Sequence, residues 1–214
     1  MTDTKTGVSA LQFLPERISL SSLREAVQEC RGCPLYKHAT QAVFGKGRRD
    51  ARLILVGEQP GNEEDLRGDP FVGPAGRLLD QALESAGIDR ADAYVTNAVK
   101  HFKWEPKGTR RLHRKPNARE IAACLPWLDK EIELIRPKVL VCLGATAAQA
   151  LLGRDFRVSV QRGRVVPTSL AEHAVATVHP SSILRQQTDA ERRRELERFV
   201  ADLEVVAGLL SGND

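Results

Sequence analysis

The chain has 214 residues, enough for one domain of ordinary size that buries most of its apolar side chains without covalent staples. It is 42% hydrophobic and 28% charged, and its apolar runs are far too short to span a bilayer, which argues against a membrane role. The net charge of +4 and pI near 9.0 lean mildly toward a polyanionic partner; the opening MTDTKTGVSA has neither a basic head before an apolar core nor a small-residue cleavage site, so a cytoplasmic location is expected.

In chain order, residues 1–15 lack periodicity and read as a loose arm, leaving 16–214 as the folded unit. Ser21 to Glu29 reads as a short helix capped by Ser22 with Glu25 as its capping-box partner, ending at a cysteine pair. Arg52 to Val56 (RLILV) is a buried strand feeding the turn GEQPG, followed by a loop rich in acids and glycine. Pro74 to Ala86 spaces Leu78, Leu79, Ala82 and Leu83 as a helix closed by Gly87. Ala93 to Val99 is a second strand, a basic loop follows, and Asn117 to Ile135 is an amphipathic helix stopped by Pro137.

Lys138 to Leu143 is a third strand, Ala147 to Leu152 a small-residue helix, Val175 to Val178 a strand before His179-Pro180, and Ala190 to Leu210 the last helix. This alternation predicts an α/β single domain: a central, mostly parallel β-sheet with helices on both faces and a site at the carboxyl ends of the strands. GEQPG, NAVKH, LGATA and HPSSILR all fall on that edge.

Between His101 and Arg119 lie Lys103, Lys107, Arg110, Arg111, Arg114, Lys115 and Arg119 against the single acid Glu105, with Phe102 and Trp104 interleaved. That pattern fits a nucleic-acid contact or a solvated basic loop. Cys30 and Cys33 form a CxxC, which serves as a redox pair, as half of a metal site or as nothing at all. Cys142, inside KVLVCL, reads as a small core hydrophobe. With Cys124 this leaves three cysteines, and an imidazole can supply a fourth ligand; His101 is the candidate, against a plain surface histidine.

GEQPG (57–61), DPFVGPAGRLLD (69–80), YVTNAVKH (94–101), ACLPWL (123–128), LGATAA (143–148) and HPSSILR (179–185) together resemble the iron–sulfur uracil-DNA glycosylases of family 4. The histidine after NAVK, where ordinary members have cysteine, and the segment TRRLH resemble the UdgX branch, which excises uracil and stays covalently joined to the DNA. Thr109 and Leu112 depart from that branch's usual lysine and isoleucine. The resemblance implies a [4Fe–4S] cluster on Cys30, Cys33, His101 and Cys124. It implies no small-molecule cofactor, and uracil-containing DNA, with single strands accepted, as the partner of a monomer.

By the same resemblance Phe71 stacks on a flipped-out uracil, Asn97 reads its O4 and N3–H, and amides of the turn at Gly57 bind its carbonyl oxygens. His179 donates to uracil O2 as negative charge develops there. His113 attacks C1′ as a neutral imidazole, Glu58 accepts a proton or the ring's other N–H, and Gln59 positions the sugar or the loop. Arg110, Arg111, Arg114 and Arg185, with Ser181 and Ser182, are expected at phosphates or in the minor groove. The alternatives are a glycosylase that releases a free abasic site and a non-enzymatic damage-binding module.

Overall fold

A computed structural model describes residues 9–212, and the statements below concern those residues. The first eight residues of the expected arm lie outside them. The rest of that arm is packed: Ala10–Phe13 form a 3-10 turn capped by Ser9, and Ala10 is fully buried. Gly32 makes this docking possible, since a Cβ there would stand 2.6 Å from the Ala10 nitrogen.

Helix α1 (Leu20–Ala26) is capped by Ser19, not Ser22. Ser19 has the extended backbone of an N-cap, and Ser22 is its reciprocal partner in the box. Strand β1 (Leu53–Gly57) is followed by α2 (Asn62–Arg67), which replaces the expected loop. Three acids in its first turn complement the positive helix end, and Gly68, at φ +79°, closes it. Then come α3 (Pro74–Ser85) and β2 (Ala93–Asn97).

The basic loop is a hairpin of β3 (Trp104–Lys107) and β4 (Arg110–His113), turned at Gly108 with φ +58°. Helix α4 (Ala118–Ile135) opens with an Asn117–Glu120 capping box and ends where Arg136 turns left-handed before Pro137. The chain continues through β5 (Val139–Leu143), α5 (Ala145–Leu152), α6 (Val158–Gln161), β6 (Val165–Val166), β7 (His173–Thr177), α7 (Pro180–Leu184) and α8 (Asp189–Ser211).

Among the described residues the main sheet has the order β2-β1-β5-β7-β6, parallel except for the short edge strand β6. Because strand side chains alternate between faces, Leu53, Leu55, Val139 and Val141 pack with residues of α3 and α8. Ile54, Val56, Leu140 and Cys142 pack with α4 and α5 on the other face. This is the α/β single domain expected from the alternating pattern, with helices covering both faces. A third apolar cluster joins Ala10, Leu23, Phe44, Val99, Cys30, Cys124 and Trp127. Among the described residues no helix is long and apolar enough to cross a membrane.

Candidate active site

The parallel strands end at one edge, and the candidate base-binding residues sit there because their positions are strand ends. Gly57 pairs in register with Asn97, and β7 runs into His179. A Cβ on Gly57 would collide with the Asn97 Oδ1 and stand 2.9 Å from the Phe71 ring, so only glycine lets amide and ring meet over β1. Phe71 holds φ +56°, a left-handed conformation that disfavours a bulky residue by about 1 kcal/mol or more. Gly76 tolerates it, since a Cβ there would strike the Phe71 carbonyl. The Phe71 and His179 rings lie 6.2 Å apart, 27° from parallel.

His179 is the N-cap of α7, and its Nδ1 accepts the Ser181 N–H at 3.2 Å. A neutral ring that accepts at Nδ1 carries its proton on Nε2, so the free edge of His179 is a hydrogen-bond donor. Burial above all, then Arg185 and His113, lowers its pKa to about 4, which keeps it neutral at pH 7. The Ser181 hydroxyl lies 2.9 Å from the same Nδ1 and receives Arg185 Nη1 at 3.1 Å, while Ser182 Oγ donates to the His179 carbonyl at 2.7 Å. Both hydroxyls expected at DNA are therefore engaged in building this turn.

His113 ends β4, with half of its side chain exposed. Gln59 clasps the hairpin base: its Oε1 accepts the Lys103 N–H at 3.0 Å, and its Nε2 donates to the Arg114 carbonyl at 3.0 Å. These backbone partners fix the sense of the amide, so the same Nε2 donates to His113 Nε2 at 2.8 Å. His113 is thereby held as a neutral ring with its lone pair on Nε2. Partial burial lowers its pKa, with Glu58 opposing and Arg185 assisting. Glu58 Oε1 stands 3.6 Å from Nε2, beside the nitrogen that Gln59 addresses; of the two expected roles this favours acceptance of a proton over a bond to the ring's other N–H. Its other oxygen is held by the Thr146 hydroxyl, at the start of α5.

The arginines divide. Arg110 is exposed on the outer face of the hairpin, and Arg114 pairs with Glu105 at 2.7 Å across it. Arg111 points inward: Nη1 reaches the fully buried Asp65 at 2.5 Å, Nε donates to Asn62 at 2.7 Å, and the guanidinium lies 5.5 Å from the ring centres of Phe102 and Trp104. Its donors serve an internal latch in the structure without DNA. Lys103 adds a second clamp, with its ammonium 2.8 Å from Glu120 at the start of α4.

Cys30, Cys33 and Cys124 belong to the third apolar cluster and lie close enough to act on one another electrostatically. Trp127 Nε1 and the Lys100 amide donate to Cys30 and Cys124 sulfur, both at 3.2 Å. Burial pushes the Cys124 thiol up to about 12 and also raises Cys33. His101 is 4% exposed, and burial lowers its pKa to about 4 against the pull of Asp65. Among the described residues no three His, Cys, Asp or Glu side chains converge as a single metal ion requires. A cubane differs, because each of its four irons takes its own ligand. Cys142 is fully buried in β5, in the apolar cluster of that face.

Three features of the site escaped sequence reading: Thr146 on Glu58, Asp65 under Arg111, and the fully buried pair of Lys100 and Glu131. Only the last left a signal, an acid lying inside the apolar stripe of Leu128, Ile132 and Ile135 on α4.

Fold and site together define an α/β protein with Gly57, Phe71, Asn97 and His179 gathered at its strand ends and a histidine-bearing hairpin beside them. Residues 44–204 match the family described as the Uracil DNA glycosylase superfamily, and the chain belongs to that superfamily. It is similar to the Type-4 uracil-DNA glycosylase of Thermotoga maritima, 40% identical over 81% of this chain and 87% of the relative. The proteins of the same name from Pyrobaculum aerophilum (36% identical; 85% of this chain, 93% of the relative) and Archaeoglobus fulgidus (38%; 85% and 92%) are similar to it as well.

Proposed function

We propose that this chain excises uracil from DNA and then captures the resulting sugar covalently through His113. Membership of the superfamily and similarity to the type-4 enzymes support excision. The observation that carries capture is the orientation of Gln59, which holds His113 neutral with its lone pair on Nε2, 3.6 Å from the Glu58 carboxylate.

A uracil flipped out of the stack enters the recess over Gly57, stacks on Phe71 and meets the Asn97 amide. As the C1′–N1 bond breaks, its electron pair passes to the base, and the Nε2–H of His179 donates to uracil O2 where negative charge gathers. A neutral donor suits this role because its proton stays in place. The Glu58 carboxylate lies where positive charge develops, first on the sugar and then on the imidazole. His113 exchanges its bond from Gln59 for a bond from Nε2 to C1′, and the ring sheds its Nδ1 proton to solvent through its exposed side. Arg110, exposed on the hairpin, meets phosphate first, and Arg111, Arg114 and Arg185 join it by giving up partners inside the protein.

The residues fit a [4Fe–4S] cluster: two buried thiols, each with an N–H donor, a partly buried third at Cys33, and a buried neutral imidazole one residue past the amide that reaches Cys124. Cys30, Cys33, Cys124 and His101 would hold it. Its contribution would be structural, tying the start of the hairpin segment to α4.

The test is a single-stranded uracil oligonucleotide incubated with the protein and run on a denaturing gel. A shifted band stable to heat and detergent is expected. Free DNA that breaks in alkali would instead establish the second reading, in which Glu58, anchored by Thr146 through one oxygen, directs a water with the other. Unchanged DNA would refute both.

A further inference from the structure

Lys100 lies between the residue proposed to read the base and a residue proposed to hold the cluster, and the mechanism above uses neither of its ends. Its side chain and that of Glu131 are both 0% exposed. The Lys100 ammonium donates to Glu131 Oε2 at 2.5 Å, to the Thr96 hydroxyl at 2.7 Å and to the main-chain carbonyl of Asn97 at 2.8 Å. Glu131 also receives the Tyr94 hydroxyl at 2.8 Å, the Thr96 hydroxyl at 3.0 Å and the Gly45 amide at 3.0 Å. Among the described residues the one other charged residue at 0% exposure is Asp65, which is already paired with Arg111.

A buried ion pair is weak support for stability, because the desolvation of two charges offsets much of their attraction. What this pair does is geometric. Asn97 is the last residue of β2, and beyond it the Ala98 and Val99 amides bond to the carbonyls of Gly57 and Glu58. The peptide carbonyl of Asn97 itself points away from those strand partners, and the Lys100 ammonium grips it. The Asn97 carboxamide has only two rotatable bonds, so its direction follows from that of the backbone from which it hangs. Uracil presents a donor at N3 and an acceptor at O4, whereas cytosine presents the reverse, so a carboxamide selects between them only while its direction is held.

We propose that Lys100 and Glu131 are positioning residues for base selection: the buried pair holds the main chain at Asn97, and so fixes the carboxamide that distinguishes uracil from cytosine. This rests on the functional reading above. Through the hydrogen bond from its backbone N–H to the Cys124 sulfur, Lys100 also ties that setting to α4, on whose buried face Cys124 and Glu131 both lie.

Binding of free uracil reads the recess without any chemistry, and binding of an oligonucleotide carrying an abasic analogue reads the DNA surface without the recess. Glu131→Gln leaves a buried ammonium without its counter-charge, so the double variant K100M/E131L, which removes both charges and keeps apolar volume, is measured beside it. Both variants should lose uracil affinity by roughly ten- to a hundredfold, the worth of a paired donor–acceptor contact, while binding the abasic oligonucleotide as the wild type does. Their preference for uracil over cytosine in oligonucleotides should narrow. Unchanged uracil affinity in the folded double variant would overturn the proposal, as would parallel losses of both kinds of binding that track a falling melting temperature. If the wild type itself bound no uracil, the functional reading would fail, and the role of the pair in base selection with it; wild-type binding together with unaltered variants would overturn the positioning role alone.

Discussion

Arg111→Lys tests the hairpin latch most directly, because it keeps the charge and removes the fork. An ammonium can still face Asp65, but it cannot also reach Asn62 and Thr40, nor lie as a plane between Phe102 and Trp104. A hydrogen bond from a charged group is worth about 1.5–3 kcal/mol, and each ring contact adds about 0.5–1 kcal/mol at exposed sites. Arg111 is 18% exposed, so solvent recovers part of this, and a net loss of about 2–3 kcal/mol is expected. If that loss falls on docking of the hairpin, its open population rises by roughly 30- to 150-fold. Limited trypsin digestion without DNA should then cut at Lys107 or Arg110 faster by a similar factor. Covalent capture should slow while uracil release continues. Wild-type rates of both cleavage and capture would refute the latch, and so would an equal fall in capture and release.

His113→Ser should abolish the detergent-stable band and leave uracil release measurable by recovery of the free base; an undiminished band would remove His113 from its role. In the wild type, capture should be flat above pH 6.5 and fall in acid, because the pKa of His113 is lowered and the protonated ring has no lone pair to offer. Thr146→Val should slow capture by about ten- to a hundredfold through the lost bond to the Glu58 carboxylate, with Thr146→Ser restoring it; equal rates for the two variants would refute that positioning. His179, at about 4 in the fold against about 6.5 unfolded, contributes stability that is full above pH 6.5 and is lost as pH falls toward 4. Denaturant unfolding should therefore find the loss of stability between pH 7.5 and pH 5 about 2 kcal/mol smaller in His179→Gln than in the wild type, the lowered His101 and His113 keeping their own share of it.

The central sheet was legible because its strands are continuous apolar runs, the mark of strands buried on both faces, and its longer helices carry clear apolar periods. Helix α2 was not, since Asn62–Arg67 has almost no apolar stripe and is held instead by end charges and by Glu64 and Asp65 turned inward. The hairpin escaped for a related reason: each of its faces mixes apolar and charged residues, Trp104 and Pro106 with Arg111 and His113 on one and Leu112 with Glu105, Lys107 and Arg110 on the other, so no period-2 pattern shows on a hydrophobic scale. Gly57, Asn97 and His179 were placed correctly at strand ends because strand ends can be counted. The internal partners of Arg111, Ser181 and Ser182 were not legible, because sequence shows that a group can bond but not to what; Asp65 lies 46 residues from Arg111.

The division between buried strand ends and a polar hairpin bears on the chemistry itself. Gly57 and Asn97 belong to strands that are buried at every position, whereas an isolated two-stranded hairpin is marginal in water. The position of His113 is therefore set from outside β3 and β4, by three clamps on three elements: Gln59 after β1, Asp65 in α2, and Glu120 at the start of α4. Loosening any one of them should move His113 and leave Gly57 and Asn97 where they are. Water then enters the space that His113 vacates, beside a Glu58 that Thr146 still holds. Weakening a clamp should thus convert capture into release and not abolish turnover. Asp65→Asn and Glu120→Gln, on different helices, should give the same alkali-labile product. Loss of uracil release in both variants would show that hairpin and recess act as one body.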